Sequence, residues 1–579
     1  MRLLPSDIAS AGPALGSIIT CHPTGAEDER TAPFPRDRGR RWLVLSLVIC
    51  GLLVSRRVLA REIWTPLAQA APGPISQMLL LSDGTVMAQN GSDNGWFRLR
   101  PDAHGSYVNG TWSTLASMHD SRLYYSSAVL RDGKVLVAGA EYGSGTNTAE
   151  VYDPLNNAWT LTPASGQVFF DSVSEILPNG NVLVGPVIPS AFGGTAIYNP
   201  TSNTWFAGPT LFRGYNQNEA SWVKLSDDSI LTVDPFDTYS ERYIPSLNEW
   251  IDDGVVPVSL YSTDGDLGAA LLLPDGRAFF LGATGHTALY TPTGTTSPGT
   301  WAAGPDIPNG QGASDAPAAM MVNGRILCAV GPAQTFNSPT RFYDYNPVLN
   351  SFTSVKGPTW HTYPTAAYVN RMLDLPDGSV LFSSFSAQLY VYHADGSPLA
   401  AAKPTIRSIT QNPDGSYLLT GTLLNGISVG AVYGDDAQMN SNYPLVRLTD
   451  SADNVYYART YNWSSTGVMT GNTPLSTQFA LPGGLPAGTY SLVVVANGIS
   501  SDPVSFFTPD MLRITLMGSG NQVLLSWPSS ATAAVLETTT DLSSSHWTAI
   551  TTGATIVGNN YVLTNSTSSD SVFFRLHGH

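Results

Sequence analysis

Cysteine, histidine and charge are all scarce in this 579-residue chain, and each shortage excludes something. There are three cysteines and nine histidines, and only 12% of residues are charged. Cys21 and Cys50 both fall within the first sixty residues, a segment that reads as removable, so Cys328 would stand alone and form no intrachain disulfide. Basic residues are the rarer sign, 28 against 44 acidic, and the net charge of −16 repels a phosphate backbone and an anionic membrane surface. Nucleic acid is therefore not an expected partner. No long stretch carries apolar residues at helical spacing, while 54 glycines and 41 prolines punctuate the chain. The expected class is all-β.

At the N-terminus, Arg36, Arg38, Arg40 and Arg41 precede an apolar run from Leu43 to Val54, and Val58-Leu59-Ala60 offers a small residue for cleavage. Residues 1–60 are expected to be a signal segment for export. A mature chain beginning near Arg61 would be secreted or held in the cell envelope, without a membrane span, because the apolar run is too short to cross a bilayer comfortably. Cys328 sits in an apolar hairpin strand and reads as a buried, inert thiol.

What the chain does have is a repeat. The hairpins LLLSDGTVM, AVLRDGKVLVAG, EILPNGNVLVG, VKLSDDSILTV, LLLPDGRAFF, MMVNGRILCAV and LDLPDGSVLF turn at Gly84, Gly133, Gly180, Asp228, Gly276, Gly324 and Gly378, which are 47 to 54 residues apart. Tyr152, Tyr198, Tyr243, Tyr290 and Tyr345 each stand two residues before a proline, and a bulky aromatic follows: Trp112, Trp159, Trp205, Trp250, Trp301 and Phe352. Such a unit makes four short antiparallel strands, and it resembles the Kelch repeat of β-propellers. Seven hairpins imply seven blades over residues 61–401. The seventh has Tyr392 but no tryptophan strand after it, whereas Ile63-Trp64-Thr65 stands unpaired before the first hairpin, so the N-terminal strand should close the last blade and remove an open edge. Residues 402–508 read as an immunoglobulin-like (E-set) sandwich and 511–577 as a small fibronectin-like module, a spacer or attachment unit without a titratable cluster.

A propeller followed by such a sandwich resembles the galactose oxidase and glyoxal oxidase family of copper radical oxidases. Arg122-Leu123-Tyr124-Tyr125-Ser126-Ser127-Ala128 matches the family's Arg-Gly-Tyr-x-Ser-Ser-Ala stretch, which implies that Tyr124 takes the place of the radical tyrosine. The family's Tyr-His pair of copper ligands falls on Tyr368 and Val369; no cysteine stands near Ile75 or Ser76 to cross-link the tyrosine, and residues 402–508 contain no histidine. Two phenols without imidazoles make a poor copper site, so copper is not expected, nor any other obligatory cofactor. His286, His361 and His393 are isolated in sequence and read as surface or hydrogen-bonded residues.

Counting about nine residues back from each turn reaches the start of each innermost strand, at one mouth of the channel. Those places hold Tyr124, Asp171, Glu219, Asp266, Asp315 and Tyr368, with Asn218 and Asp264 alongside. The carboxylates either cap neighbouring loop amides or hold a ligand, since acids facing one cavity repel unless something neutralises them. Calcium is one ligand the ring admits, and a glycan is another, because tyrosine faces suit sugar rings. The expected function is a secreted, monomeric propeller that binds a glycan, peptide or cation outside the cell. The alternatives are a galactose oxidase-like enzyme with an altered metal site, and hydrolysis by paired carboxylates.

Overall fold

In the computed structural model, residues 63–578 are described, except 189–193, 215–216, 264, 360, 434–436, 509–511, 518–521, 530–533, 544–545, 559 and 567–570. The expected signal segment and Asp264 lie outside the described residues.

Each repeat begins with its hairpin because the turn residue accepts a positive φ, from 64° at Asp228 to 88° at Gly378. The second turn is built differently. The tyrosine of Tyr-x-Pro donates its hydroxyl to the Asn five residues on, at 2.9 Å for Tyr152–Asn157, Tyr198–Asn203 and Tyr243–Asn248 and 2.8 Å for Tyr345–Asn350. Each of those asparagines is itself left-handed, a conformation Asn tolerates better than other side chains. Several outer tryptophans then tie their sheet to the one before: Trp112 Nε1 donates to Gln69 O, Trp159 Nε1 to Ala116 O, and Trp205 Nε1 to Thr162 Oγ1.

The repeats fold into seven antiparallel sheets among the described residues, six of them four-stranded and the sixth in chain order extended by further strands. The first consists of Ile75–Leu80, Val86–Asn90, Trp96–Arg100 and Thr111–Leu115. The first strands of the other six are Ser126–Val129, Val168–Ile176, Trp222–Lys224, Ala270–Leu272, Pro317–Met320 and Arg371–Asp374. These first strands neighbour one another in succession and return to the start. Between the fifth and sixth sheets Ala269 N donates to Ala316 O, and between the first and second Gln77 Nε2 donates to Ser127 Oγ. The fold is a β-propeller. Ile63–Pro66 completes the seventh sheet, pairing Trp64 with Tyr392, and Trp64 Nε1 donates to Lys356 O in the sixth. Trp112 and Trp159 make the same kind of bond to a backbone oxygen, so Trp64 stands where the repeat required one.

Beyond residue 402 the chain does something its sequence did not signal. Gly430–Tyr433 and Ala437–Asn440 form a hairpin that leaves its neighbours, pairs with Pro317–Met320 of the sixth sheet, and lies against the first strands of sheets one, two, three and seven. It is a finger inside the ring. The remaining strands between Thr405 and Phe507 form a second β structure around Leu419, Val446, Leu448, Phe479 and Leu492. This structure shares a core with the propeller: Tyr443 and Trp463 stack at 4.6 Å, Tyr443 donates its hydroxyl to Leu80 O, and Arg131 Nε donates to Trp463 O. Two further sheets, between Arg513 and Gly578, enclose Leu525, Trp527, Leu536 and Leu563. Cys328 is fully buried and its thiol is pushed up by burial, the state expected of an inert side chain.

Candidate functional site

The counted positions converge. Carboxylate oxygens of Glu141, Asp171 and Glu219 lie within 4.8 Å of one another, and so do those of Glu219, Asp266 and Asp315, with Glu219 common to both triplets. All except Glu141 are buried, Asp266 completely. Local backbone explains the convergence. Tyr124, Asp171, Glu219 and Asp315 all have positive φ, between 41° and 66°, and Gly265 takes that role immediately before Asp266. A non-glycine residue there costs of order 1 kcal/mol or more, so four such residues at equivalent places mark a conformation that the surrounding structure imposes. At Asp171 the strand also bulges, its register shifting between Phe169 and Val173. Asp266 does behave partly as a loop cap, accepting from Ser262 Oγ at 2.6 Å, and Asp315 N donates to Leu267 O.

The tyrosines occupy the other arc. The Tyr124 ring stacks at 6.2 Å on Tyr433, which the finger delivers, and meets Tyr142 edge-on. Tyr368 lies on the short turn Ala367–Val369 and packs edge-on against Phe336. Between them stands Arg371, whose guanidinium lies 3.9 Å from the Tyr433 ring centre and 5.5 Å from that of Tyr124, with Nη1 donating to Tyr368 O and Asn370 O.

Three of these residues escaped the counting. Glu141 sits in the loop after a second strand, whereas the count follows first strands; its place is set by its backbone N, which donates to Tyr124 O. Arg371 lies three residues past the counted Tyr368. Tyr433 belongs to a finger whose docking no local pattern encodes.

Among the described residues no histidine or cysteine joins a group able to hold a metal. His286 pairs instead with the exposed Asp306 at 2.8 Å, and His393 lies exposed at a strand end. The finger brings a tyrosine to the mouth, and Val369 follows Tyr368.

No family model matches the chain. An F-box/kelch-repeat protein of Arabidopsis thaliana is 27% identical over 158 residues, 22% of this chain and 32% of that protein. Kelch-like protein 36 of Mus musculus is 25% identical over 218 residues, 34% of each. The chain thus matches about a third of the length of these relatives. Among solved structures, a fungal alcohol oxidase described as having catalytic diversity among the AA5 family, in complex with copper, superposes with a TM-score of 0.50 at 15% identity, covering 77% of this chain and 99% of that one. With the repeat and the ring of sheets, these likenesses make the chain a Kelch-repeat β-propeller protein. Its fold is that of the galactose oxidase-like propellers, and at such low identity the likeness extends to the fold alone.

Proposed function

We propose that this protein is a binding propeller, working outside the cell, whose mouth holds a hard divalent cation and presents it, beside Tyr124 and Tyr433, to a glycan or peptide rich in oxygen donors. The observation that carries the reading is the pair of carboxylate triplets sharing Glu219. Close, buried carboxylates repel strongly, and a cation taking several oxygen ligands at once relieves that repulsion. Calcium is the first candidate, because its coordination tolerates irregular sets of oxygens.

The test is Asp171→Asn combined with Asp315→Asn, which removes one charge from each triplet and leaves side-chain volume unchanged. The parent should bind calcium in a calorimetric titration and melt higher in its presence; a concentration about 100 times Kd adds about 2.7 kcal/mol. The double variant should lose that rise while melting no lower than the metal-free parent, since like charges have been removed. A parent that binds no calcium refutes the reading.

The oxidase alternative predicts copper chemistry, and the absence of imidazole from the described metal-capable groups argues against it. Copper loading with mild oxidation should yield no tyrosyl radical in electron paramagnetic resonance and no peroxide from galactose or glyoxal. A radical signal that disappears in Tyr124→Phe would reinstate the enzyme. Val369→His alone should create no activity.

A further inference from the structure

We infer that the turn ends of the third, fourth and fifth sheets form a second binding site, one that takes an alkylammonium group on an apolar stem. Three departures from the repeat meet there. The turn residue is glycine in six hairpins and Asp228 in the fourth, where φ is 64°, a conformation open to glycine without strain and less readily to an acidic residue. Tyr152, Tyr198, Tyr243 and Tyr345 stand seven residues before the next aromatic, whereas Tyr290 stands eleven before Trp301 and donates its hydroxyl to Asp253 Oδ2 instead of an asparagine. The longer loop is held by a fully buried ion pair. Arg242 Nε donates to Asp253 Oδ2 and Nη2 to Thr295 O and Ser297 O, at 3.1 and 2.8 Å, while Gly299 N donates to Asp253 Oδ1 at 2.7 Å. Two charges taken out of water contribute little net stability; what this pair does is fix the loop.

Between these elements lies an open cavity of about 570 Å³, the size of a small-ligand site. It is lined by the long loop at Gly294, by the apolar residues Leu177, Pro178, Ile197, Ile244 and Pro245, and by Asp227 and Asp228. No lysine, arginine or histidine lines it. Asp227 Oδ1 accepts from Ser229 N and Oγ, at 3.1 and 2.5 Å, and its Oδ2 lies 3.5 Å from Arg242 Nη1. Lys224, whose charge Asp228 feels, is bonded to Glu175 at 3.0 Å. One guanidinium therefore serves Asp227 and Asp253 together, and no ion pair among the described residues includes Asp228. Burial raises the Asp228 carboxyl above its ordinary value, with Lys224 opposing the rise and Asp227 adding to it. A ligand that answers such a lining carries a protonated amine at one end and hydrocarbon at the other. A bare metal ion would leave the apolar wall uncovered, a neutral apolar molecule would leave Asp228 facing hydrocarbon, and an anion is repelled. The site is independent of the cation reading, because it uses none of the carboxylates at the mouth.

Titration calorimetry on the full chain tests this, with 1,5-diaminopentane and with a lysine blocked at both α-groups, each with and without calcium. The parent should bind at least one of them: the diamine alone marks a free polyamine as the ligand, the blocked lysine a peptide side chain. Methylammonium, which lacks the stem, should bind at least about tenfold more weakly. Asp228→Gly installs the residue that the other six hairpins carry, so the turn keeps its shape while binding falls at least about tenfold. Asp228→Asn, whose side chain also tolerates the left-handed turn, should lose as much and decides if the first variant fails to fold. A parent that binds neither probe overturns the inference, as does methylammonium binding of equal strength. Binding that Asp228→Gly leaves in place overturns it too, and if calcium suppresses that binding it belongs to the mouth.

Discussion

Trp64→Ala lowers the stability of the propeller by about 3 kcal/mol, at the low end for a tryptophan because the ring is half-buried. The indole packs against Phe342, Phe382 and Tyr392 at centroid distances of 5.0, 5.4 and 4.8 Å and donates to Lys356 O, so its loss opens the seam between the sixth and seventh sheets. If the roughly 450 residues from 63 to 508 unfold together, at about 2 cal/mol/K per residue, Tm falls by roughly 3 °C. It falls further if the seventh sheet opens first. Deleting residues 61–70 should do more, because it also removes the four pairings of Ile63–Pro66 and leaves Tyr390–His393 as a bare edge able to template association. Thermal melts and light scattering on both variants check this, and an unchanged Tm with no aggregation would mean that the ring is not closed by its N-terminal strand.

The buried carboxyl of Asp374 should make the stability of the parent fall as pH rises from 4 to 7. Asp374 ends the first strand of the seventh sheet, and its carboxylate lies at the root of the finger: Ser441 Oγ donates to Oδ2, and a Cβ on Gly430 would come within 2.8 Å of the same oxygen. Around it stand Met320, Met321, Val322, Leu375 and Asn497, none of them charged. Burial raises its pKa to about 7, with the Ser441 bond opposing the shift. The folded protein therefore holds a proton that the unfolded chain releases near 3.8. The stability is complete below the unfolded value and is lost as pH climbs through the folded one, a total of roughly 3–5 kcal/mol. Asp374→Asn stays neutral throughout, so its Tm should gain on the parent between pH 5 and 8. Parallel profiles for the two proteins would exclude a buried carboxylate at the finger root. Asn497, which donates to Ser428 O and Ser441 Oγ, clamps both legs of the finger, so a change at Asp374 should also alter how Tyr433 meets Tyr124.

The all-β class, the hairpin turns and the closing role of Trp64 were all legible in the sequence, because each follows from short-range chemistry repeated at a fixed interval. A turn glycine and a Tyr-x-Pro strand end need only near neighbours, and repetition, which also spaces one bulky aromatic per unit, makes a weak local signal strong. The same counting brought Asp171, Glu219, Asp266 and Asp315 to one place, since residues at one phase of a ring must face one axis. It did not reveal the left-handed backbone that aims Asp171, Glu219 and Asp315, because a positive φ at an acidic residue leaves no mark in composition.

The finger was decided by tertiary structure alone. Residues 402–508 alternate as any half-buried β region does, and nothing in Gly430–Asn440 says that its partner lies more than a hundred residues back, in Pro317–Met320. Strand pairing depends on which edge is open and near, and that is fixed only once the ring has closed. With the finger came Tyr433, and with Tyr433 the stacking that buries Arg371. The sequence by itself determined the scaffold and the acidic arc of its mouth; long-range packing decided what fills the channel.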